Sequence, residues 1–266
     1  MRVIAKLILV LTALWFYSCK KVIDIKLKET DIKYVVEGIV SNKAGDCKVY
    51  VSKSKPFNEN NEFEKVSGAI VTVSDNGVEV QLGETQAGIY QTNLINGTPG
   101  HVYQMTVSVN GETFSASCTM PQPVRLDTLY IAPGPLGKFQ FANIAYTDPP
   151  GINNAYRFIQ YKNGIKDPAI FVQDDKFTDG QTVVTRLDTG VDKEDDPRNI
   201  ESGDEVVIEM LTVDESIFKY WNSLRSAGGD GSTSTASPAN PVTNIKGGAL
   251  GYFSAHTISQ RMVVAP

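Results

Sequence analysis

Between Asp188 and Glu215 the chain carries 11 acidic side chains against two basic ones, Lys193 and Arg198. Carboxylates are hard oxygen donors, and several of them close together suit Ca2+, which takes roughly six to eight oxygen ligands. Asp192, Glu194, Asp195 and Asp196 form the tightest run and are the candidate ligands. Their spacing lacks the glycine and the terminal glutamate that an EF-hand loop requires. Two other readings therefore stand beside an ion site: a solvated acidic loop, and a docking surface for a basic partner. Other reactive groups are sparse. The two histidines, His101 and His256, are far apart in sequence, with no His-Glu-x-x-His run and no clustered cysteines. Zinc-type chemistry needs such clusters. Gly228-Gly229-Asp230-Gly231 follows an expected helix instead of opening one, so it lacks the context of a phosphate-binding loop. No catalytic residue and no cofactor is expected, Ca2+ being the one ion weighed.

Of the three cysteines, Cys19 has a distinctive setting. Arg2 and Lys6 precede an almost wholly apolar run from Leu7 to Phe16, which ends at Tyr17-Ser18-Cys19. A membrane-spanning helix needs roughly 20 apolar residues, and this run suits the core of a signal peptide instead. A small residue directly before a cysteine resembles the lipobox of bacterial lipoproteins, although Phe16 and Tyr17 depart from its usual residues. Residues 1–18 are thus expected to be a signal peptide and Cys19 the lipidation site. A diacylglycerol thioether, with palmitate-like chains, supplies the two acyl chains that stable anchoring needs. An ordinary cleaved leader and an uncleaved anchor are the alternatives.

The elements that must position these groups lie beyond the leader. Without Arg2 and Lys6 the chain retains 23 basic residues against 30 acidic ones. A nucleic-acid binder needs clustered Lys and Arg to neutralise phosphates, so no nucleic-acid partner is expected. Residues 19–33 form a tether. Strand signals then dominate: Tyr34 to Val40, Cys47 to Ser52, Ala69 to Ser74, Val78 to Leu82, Val102 to Val109 and Thr113 to Cys118. Asn76-Gly77 and Asn110-Gly111, each between alternating runs, predict hairpins. Residues 34–120 are expected to form a small β-sandwich of immunoglobulin-like kind. Pro121 and Pro123 leave the chain extended and short of donors, so a domain boundary is placed at 120–125. Residues 125–266 then make a second β-rich domain. It has one helix at about 213–226, with Thr212 as its cap and Glu215 reaching back, and Ile217, Tyr220, Trp221 and Leu224 on its buried face. A flexible Gly/Ser/Thr-rich loop is expected at 228–240. The fold class is mainly β.

Cys19 to Ile25, Val35 to Val40, Val66 to Val73, Asn240-Pro241 and Gly247 to Ala255 resemble a family of Bacteroidetes lipoproteins catalogued as domain of unknown function 4249. The matches lie at both ends, so the resemblance covers essentially the whole chain. Within it, Gly68 to Val73, Gly88-Ile89-Tyr90 and Pro99 to Tyr103 look like transthyretin or carboxypeptidase-regulatory modules. The family likeness implies an outer-membrane lipoprotein, often encoded near TonB-dependent transporters, and supplies no catalytic residues. Surface export in that phylum favours acidic residues soon after the lipidated cysteine. Here Lys20 and Lys21 come first, which leaves the periplasmic and cell-surface faces both open.

The leading functional expectation is a non-enzymatic envelope protein, accessory to an outer-membrane transporter. The alternatives are a stand-alone glycan- or peptide-binding module, using exposed aromatics such as Tyr130, Tyr146 or Tyr161, a hydrolase built from distant carboxylates, and a purely structural role. With Cys19 given to lipid, Cys47 and Cys118 remain. An exported chain permits oxidation, so a Cys47–Cys118 disulfide is expected, with two separate buried thiols as the alternative.

Overall fold

Alternating apolar residues between turn-forming pairs give extended chain throughout. The structure is a computed structural model that describes residues 31–55, 63–135, 137–151, 153–191, 193–228 and 240–266. In chain order the strands are β1 (Tyr34–Ser41), β2 (Cys47–Lys53), β3 (Glu64–Lys65), β4 (Ile70–Asp75), β5 (Val78–Gln81), β6 (Gly83–Gln86), β7 (Ile89–Thr92), β8 (Val102–Val109) and β9 (Glu112–Thr119). There follow β10 (Leu126–Pro133), β11 (Gln140–Thr147), β12 (Ala155–Lys162), β13 (Ile165–Lys166), β14 (Phe171–Asp174), β15 (Thr182–Leu187) and β16 (Glu205–Val213). A helix (Glu215–Gly228) and β17 (Leu250–Val264) complete the order. Asn76-Gly77, Asn110-Gly111 and Asn163-Gly164 turn the β4–β5, β8–β9 and β12–β13 hairpins, each with positive φ at both residues. Two-residue turns of this hand match the twist of the strands they join, and asparagine and glycine tolerate that backbone best.

The strands form one large sheet and two small ones. The large sheet runs β13-β12-β16-β17-β1-β2-β7-β6, with β14 also on β12 and β3 on β2. The smaller sheets run β5-β4-β8-β9 and β10-β11-β15. Both small sheets cover the same face of the large one, side by side. β17, at 15 residues, is long enough to serve both. Its Phe253 and Ala255 join Val71, Val73, Tyr103, Met105 and Phe114 in the first core. Further along, Ser259 Oγ accepts from Leu126 N at 2.8 Å, and Val263 packs with Ile144, Tyr146, Phe158 and Ile208 in the second core. On the opposite face of β17 lies the helix: Tyr220 and Trp221 pack against Tyr252 with ring centroids 4.8 and 5.2 Å apart.

The mainly β class holds, with layered sheets as anticipated. The boundary at 120–125 does not separate two domains. β17 lies between β1 and β16, parallel to the first and antiparallel to the second, so strands from both sides of Pro121 share one sheet. Ile32–Pro266 is a single compact unit. The prolines mark only where the chain leaves one covering sheet for the other. Val124 N donates to Thr212 Oγ1 at 3.3 Å there, fixing the crossing segment to the large sheet. The physical reason is the last strand: it is extended and apolar, and both of its edges carry ladder groups that must be paired.

The helix also starts later than anticipated. Thr212 belongs to β16, and Asp214 is the cap: its Oδ1 accepts from Ser216 N at 2.8 Å and its carbonyl from Ile217 N and Phe218 N. Among the described residues no helix is long and apolar enough to cross a membrane. Residues 1–30, with the expected leader, Cys19 and most of the tether, and residues 229–239 of the expected flexible loop, lie outside the described residues.

Candidate cation site and polar sheet face

The four acidic residues singled out from the sequence do not gather around a common point. Asp192 lies outside the described residues. Glu194 is exposed and pairs with Lys138 at 3.2 Å. Asp195 points to solvent. Asp196 turns both oxygens to the Arg198 guanidinium, at 2.7 and 3.0 Å, and accepts from Arg198 N at 2.9 Å. These hydrogen bonds hold its carboxyl down at about 2. A bidentate guanidinium already occupies both Asp196 oxygens, as in the solvated acidic loop that is the other reading of this segment.

A different trio of carboxylates does converge. Asp148 directly follows β11, Asp175 follows β14, and Asp179 lies in the loop before β15; one oxygen from each falls within 4.8 Å of the others. Pairing brings them together. β11 and β15 are in register at Tyr146–Val183 and Thr147–Thr182, and β14 lies on β12 at Asp174–Ala155. Pro149 and Pro150 then end the ladder, because neither can donate to it. Asp148 is wholly buried. Its Oδ1 accepts from the Tyr156 hydroxyl and its Oδ2 from Gly180 N at 3.2 Å. Asp175, also buried, accepts from Asn153 N and Asn154 N at 3.2 and 2.8 Å. Asp179 is exposed and accepts from Gly151 N at 2.8 Å. The Tyr156 ring packs on Tyr146 at 4.8 Å between centroids. Burial, then the charges of Asp148 and Asp175, push the Tyr146 phenol well above its ordinary value. Asp175 and Asp179 line a cleft of ≈ 560 Å³ whose other wall is the start of the helix, at Glu215 and Phe218. Sequence reasoning missed this set. Asp148 stands 27 residues before Asp175, and the only local signal, Asp175 and Asp179 before Gly180, has the form of an ordinary turn.

The face of the large sheet turned away from the small sheets carries a second concentration of polar groups. Glu37 on β1, Arg157 and Tyr161 on β12, Glu209 on β16 and Tyr252 on β17 all point to it, as their pairing registers require. The Arg157 guanidinium lies 3.4 Å from the centre of the Trp221 ring, a stacked cation–π contact. Burial pushes Arg157 down, and Tyr252 opposes that shift. Burial also pushes Glu37 up, against the pull of Lys166 and Arg157. Glu209 accepts from Lys43 at 2.8 Å and from the Tyr161 hydroxyl at 3.2 Å. Of the aromatics considered for sugar stacking, Tyr146 is core, Tyr161 is half-buried, and Tyr130 is exposed by itself.

The cysteines and histidines serve the interior. Cys47 and Cys118 are free, buried thiols, which overturns the expected disulfide. Cys47 pairs with Val40, and Val40 with Ala255. Cys118 sits on the covering sheet, with its sulfur accepting from Ala255 N at 3.2 Å. Cys47 is thus two strand spacings, roughly 9.6 Å, from the residue Cys118 touches, whereas a bridge needs Cα atoms within about 7 Å. Burial pushes both thiols up to about 12. His101 Nδ1 meets Asp75 Oδ1 at 2.6 Å, a pair hidden in the sequence by a separation of 26 positions. His256 contacts Ser254 Oγ at 2.9 Å, but both side chains are buried, 5% and 3% exposed, where no substrate reaches them. Burial holds His256 down at about 4.

No curated protein matches the chain. A family model described as Domain of unknown function (DUF4249) matches residues 20–262, a span that runs from before β1 into β17 and takes in the carboxylate trio and the polar sheet face, and the chain therefore belongs to that family.

Proposed function

We propose that the protein is a non-enzymatic, lipid-anchored component of the outer membrane that works beside a transporter, such as one of the TonB-dependent class. The observation that carries this reading is Cys19, set directly after a basic and then apolar leader. The described residues from Tyr34 onward belong to one β-rich body. Such a body, tethered at its first residues, suits docking better than turnover. Its reactive side chains support the same view. Both histidines have internal partners and both thiols are buried. The polar sheet face, where Tyr50 is 39% exposed beside Lys48, is the surface best suited to a protein partner. A stand-alone glycan module is less favoured, because the aromatic group of Tyr220, Trp221 and Tyr252 packs ring on ring against the sheet, with two of its members 8% exposed.

The test is recovery of the anchored protein from gently solubilised native membranes, followed by mass spectrometry. A transporter or other envelope protein is expected with it, and a Cys19→Ala variant should lose lipid label, membrane retention and partner together. Repeated recovery of the protein alone, or a Cys19→Ala variant that stays lipid-labelled, sinks the reading.

A further inference from the structure

We propose that Asp148, Asp175 and Asp179 hold a calcium ion that ties the loops after β11 and β14 to the start of β15. One oxygen from each lies within 4.8 Å of the others. Calcium binds oxygen at roughly 2.3–2.6 Å, so ligands on opposite sides of the ion stand about 4.6–5.2 Å apart; magnesium, at about 2.0–2.1 Å, demands a tighter shell. All three oxygens fit inside one calcium sphere. Among the described residues no Lys, Arg or His forms an ion pair with any of the three. Three carboxylates crowded without a cation repel one another; an ion among them reverses the sign of the interaction.

An independent observation points into the same place. The Tyr146 side chain is wholly buried, yet its hydroxyl has no hydrogen-bond partner. Its ring lies on Tyr156, whose own hydroxyl is spent on Asp148. Buried hydroxyls in folded proteins are normally satisfied, and an ion-bound water at the trio, donating to the Tyr146 oxygen, supplies the partner that this one lacks. Thr178 Oγ1, between Asp175 and Asp179, is a second buried hydroxyl without a partner. Calcium requires such neutral oxygens beside its carboxylates.

The test uses the purified full-length protein, chelator-treated, with Ca2+ as the probe in calorimetric titration and thermal melting. Tb3+ excited through tyrosine reports the location, since Tyr146 and Tyr156 adjoin the site. Expected results are saturable heat, a melting temperature raised by millimolar Ca2+, and tyrosine-sensitised Tb3+ emission that Ca2+ displaces. Asp179→Asn, at an exposed position, should retain the chelated protein's stability and weaken binding at least tenfold. Glu194→Gln in the acidic segment should leave binding unchanged. Absence of heat and of a melting shift at millimolar Ca2+ overturns the proposal. So does binding that survives both Asp179→Asn and Asp175→Asn, or Mg2+ binding as tight as Ca2+.

Discussion

Gly251 is the position on which the joining of β1 to β17 rests. Its φ is +101°, and an added Cβ would stand 2.0 Å from the Val36 carbonyl oxygen and 2.8 Å from its carbonyl carbon. Both are backbone atoms of the neighbouring strand, so no rotamer change relieves them. Gly251→Ala therefore carries two costs. Forcing an L side chain into a left-handed backbone costs about 1–2 kcal/mol, and overpacking a well-filled contact costs about 1–3 kcal/mol more. The sum, roughly 2–5 kcal/mol, is a large part of the 5–15 kcal/mol typical of a folded domain. Gly248→Ala is the matched control. Its φ is +94°, but an added Cβ there meets nothing within 4 Å, so it carries the backbone cost alone. Equilibrium unfolding in urea, followed by Trp221 fluorescence and far-UV circular dichroism, measures both variants. The expected result is one coincident transition in each protein, with Gly251→Ala less stable than Gly248→Ala by about 1–3 kcal/mol. Equal stabilities would refute the close β1–β17 approach. Two separated transitions, one for each side of Pro121, would refute the single unit.

The same packing sets three further outcomes. Denatured, unreduced protein should take up alkyl groups on both Cys47 and Cys118, and an intact mass showing uptake only after reduction would restore the bridge. His256 is held down at about 4 by burial, against an ordinary value of 6.5. The unfolded chain therefore binds the extra proton between those values, and its contribution to stability is present above pH 6.5 and is lost as pH falls toward 4. The loss amounts to about 3 kcal/mol at most. His256→Gln should flatten that part of the stability–pH curve, and an unchanged curve would place the histidine in a less confining site. Trp221→Ala should cost about 3 kcal/mol by circular dichroism, at the lower end for a large aromatic, because the indole is half-buried but stacks on Arg157 and Tyr252. A change near zero would mean that the guanidinium and Tyr252 close over the gap.

Local features of the fold were legible because they depend on neighbours in sequence. The Asn-Gly hairpins, the alternation in β4 and β8, and the apolar stripe of the helix all express periodicities set within a few residues. The domain boundary was not legible, for a definite reason. Residues 34–120 contain enough alternating strands to close a sandwich by themselves, and the prolines at 121 and 123 supply a plausible break. What decides the matter is which strand lies beside β1. Its partner, β17, is more than 200 residues away, and no local pattern encodes a pairing at that separation. The same omission produced the disulfide. Cys47 and Cys118 were placed in one small domain, whereas Ala255, on the returning last strand, is the neighbour that occupies the Cys118 sulfur.

Charge density in the sequence marks an acidic surface and misses the carboxylates that converge in space, and solvation explains why. A run such as Glu194-Asp195-Asp196 is tolerated because water and nearby Arg and Lys side chains neutralise it at little cost; Arg198 and Lys138 do so here. Carboxylates that must be removed from water are costly unless donors or a cation meet them, so a chain carries them singly, each on its own loop. Asp148 is one residue between a threonine and two prolines, with nothing in its surroundings to mark it. Only the registers of β11 on β15 and β14 on β12 place it beside Asp175 and Asp179. A concentration of charge along the chain thus identifies a surface, whereas a concentration in space, assembled from isolated residues at strand ends and furnished with buried hydroxyls, identifies the place where an ion would be held.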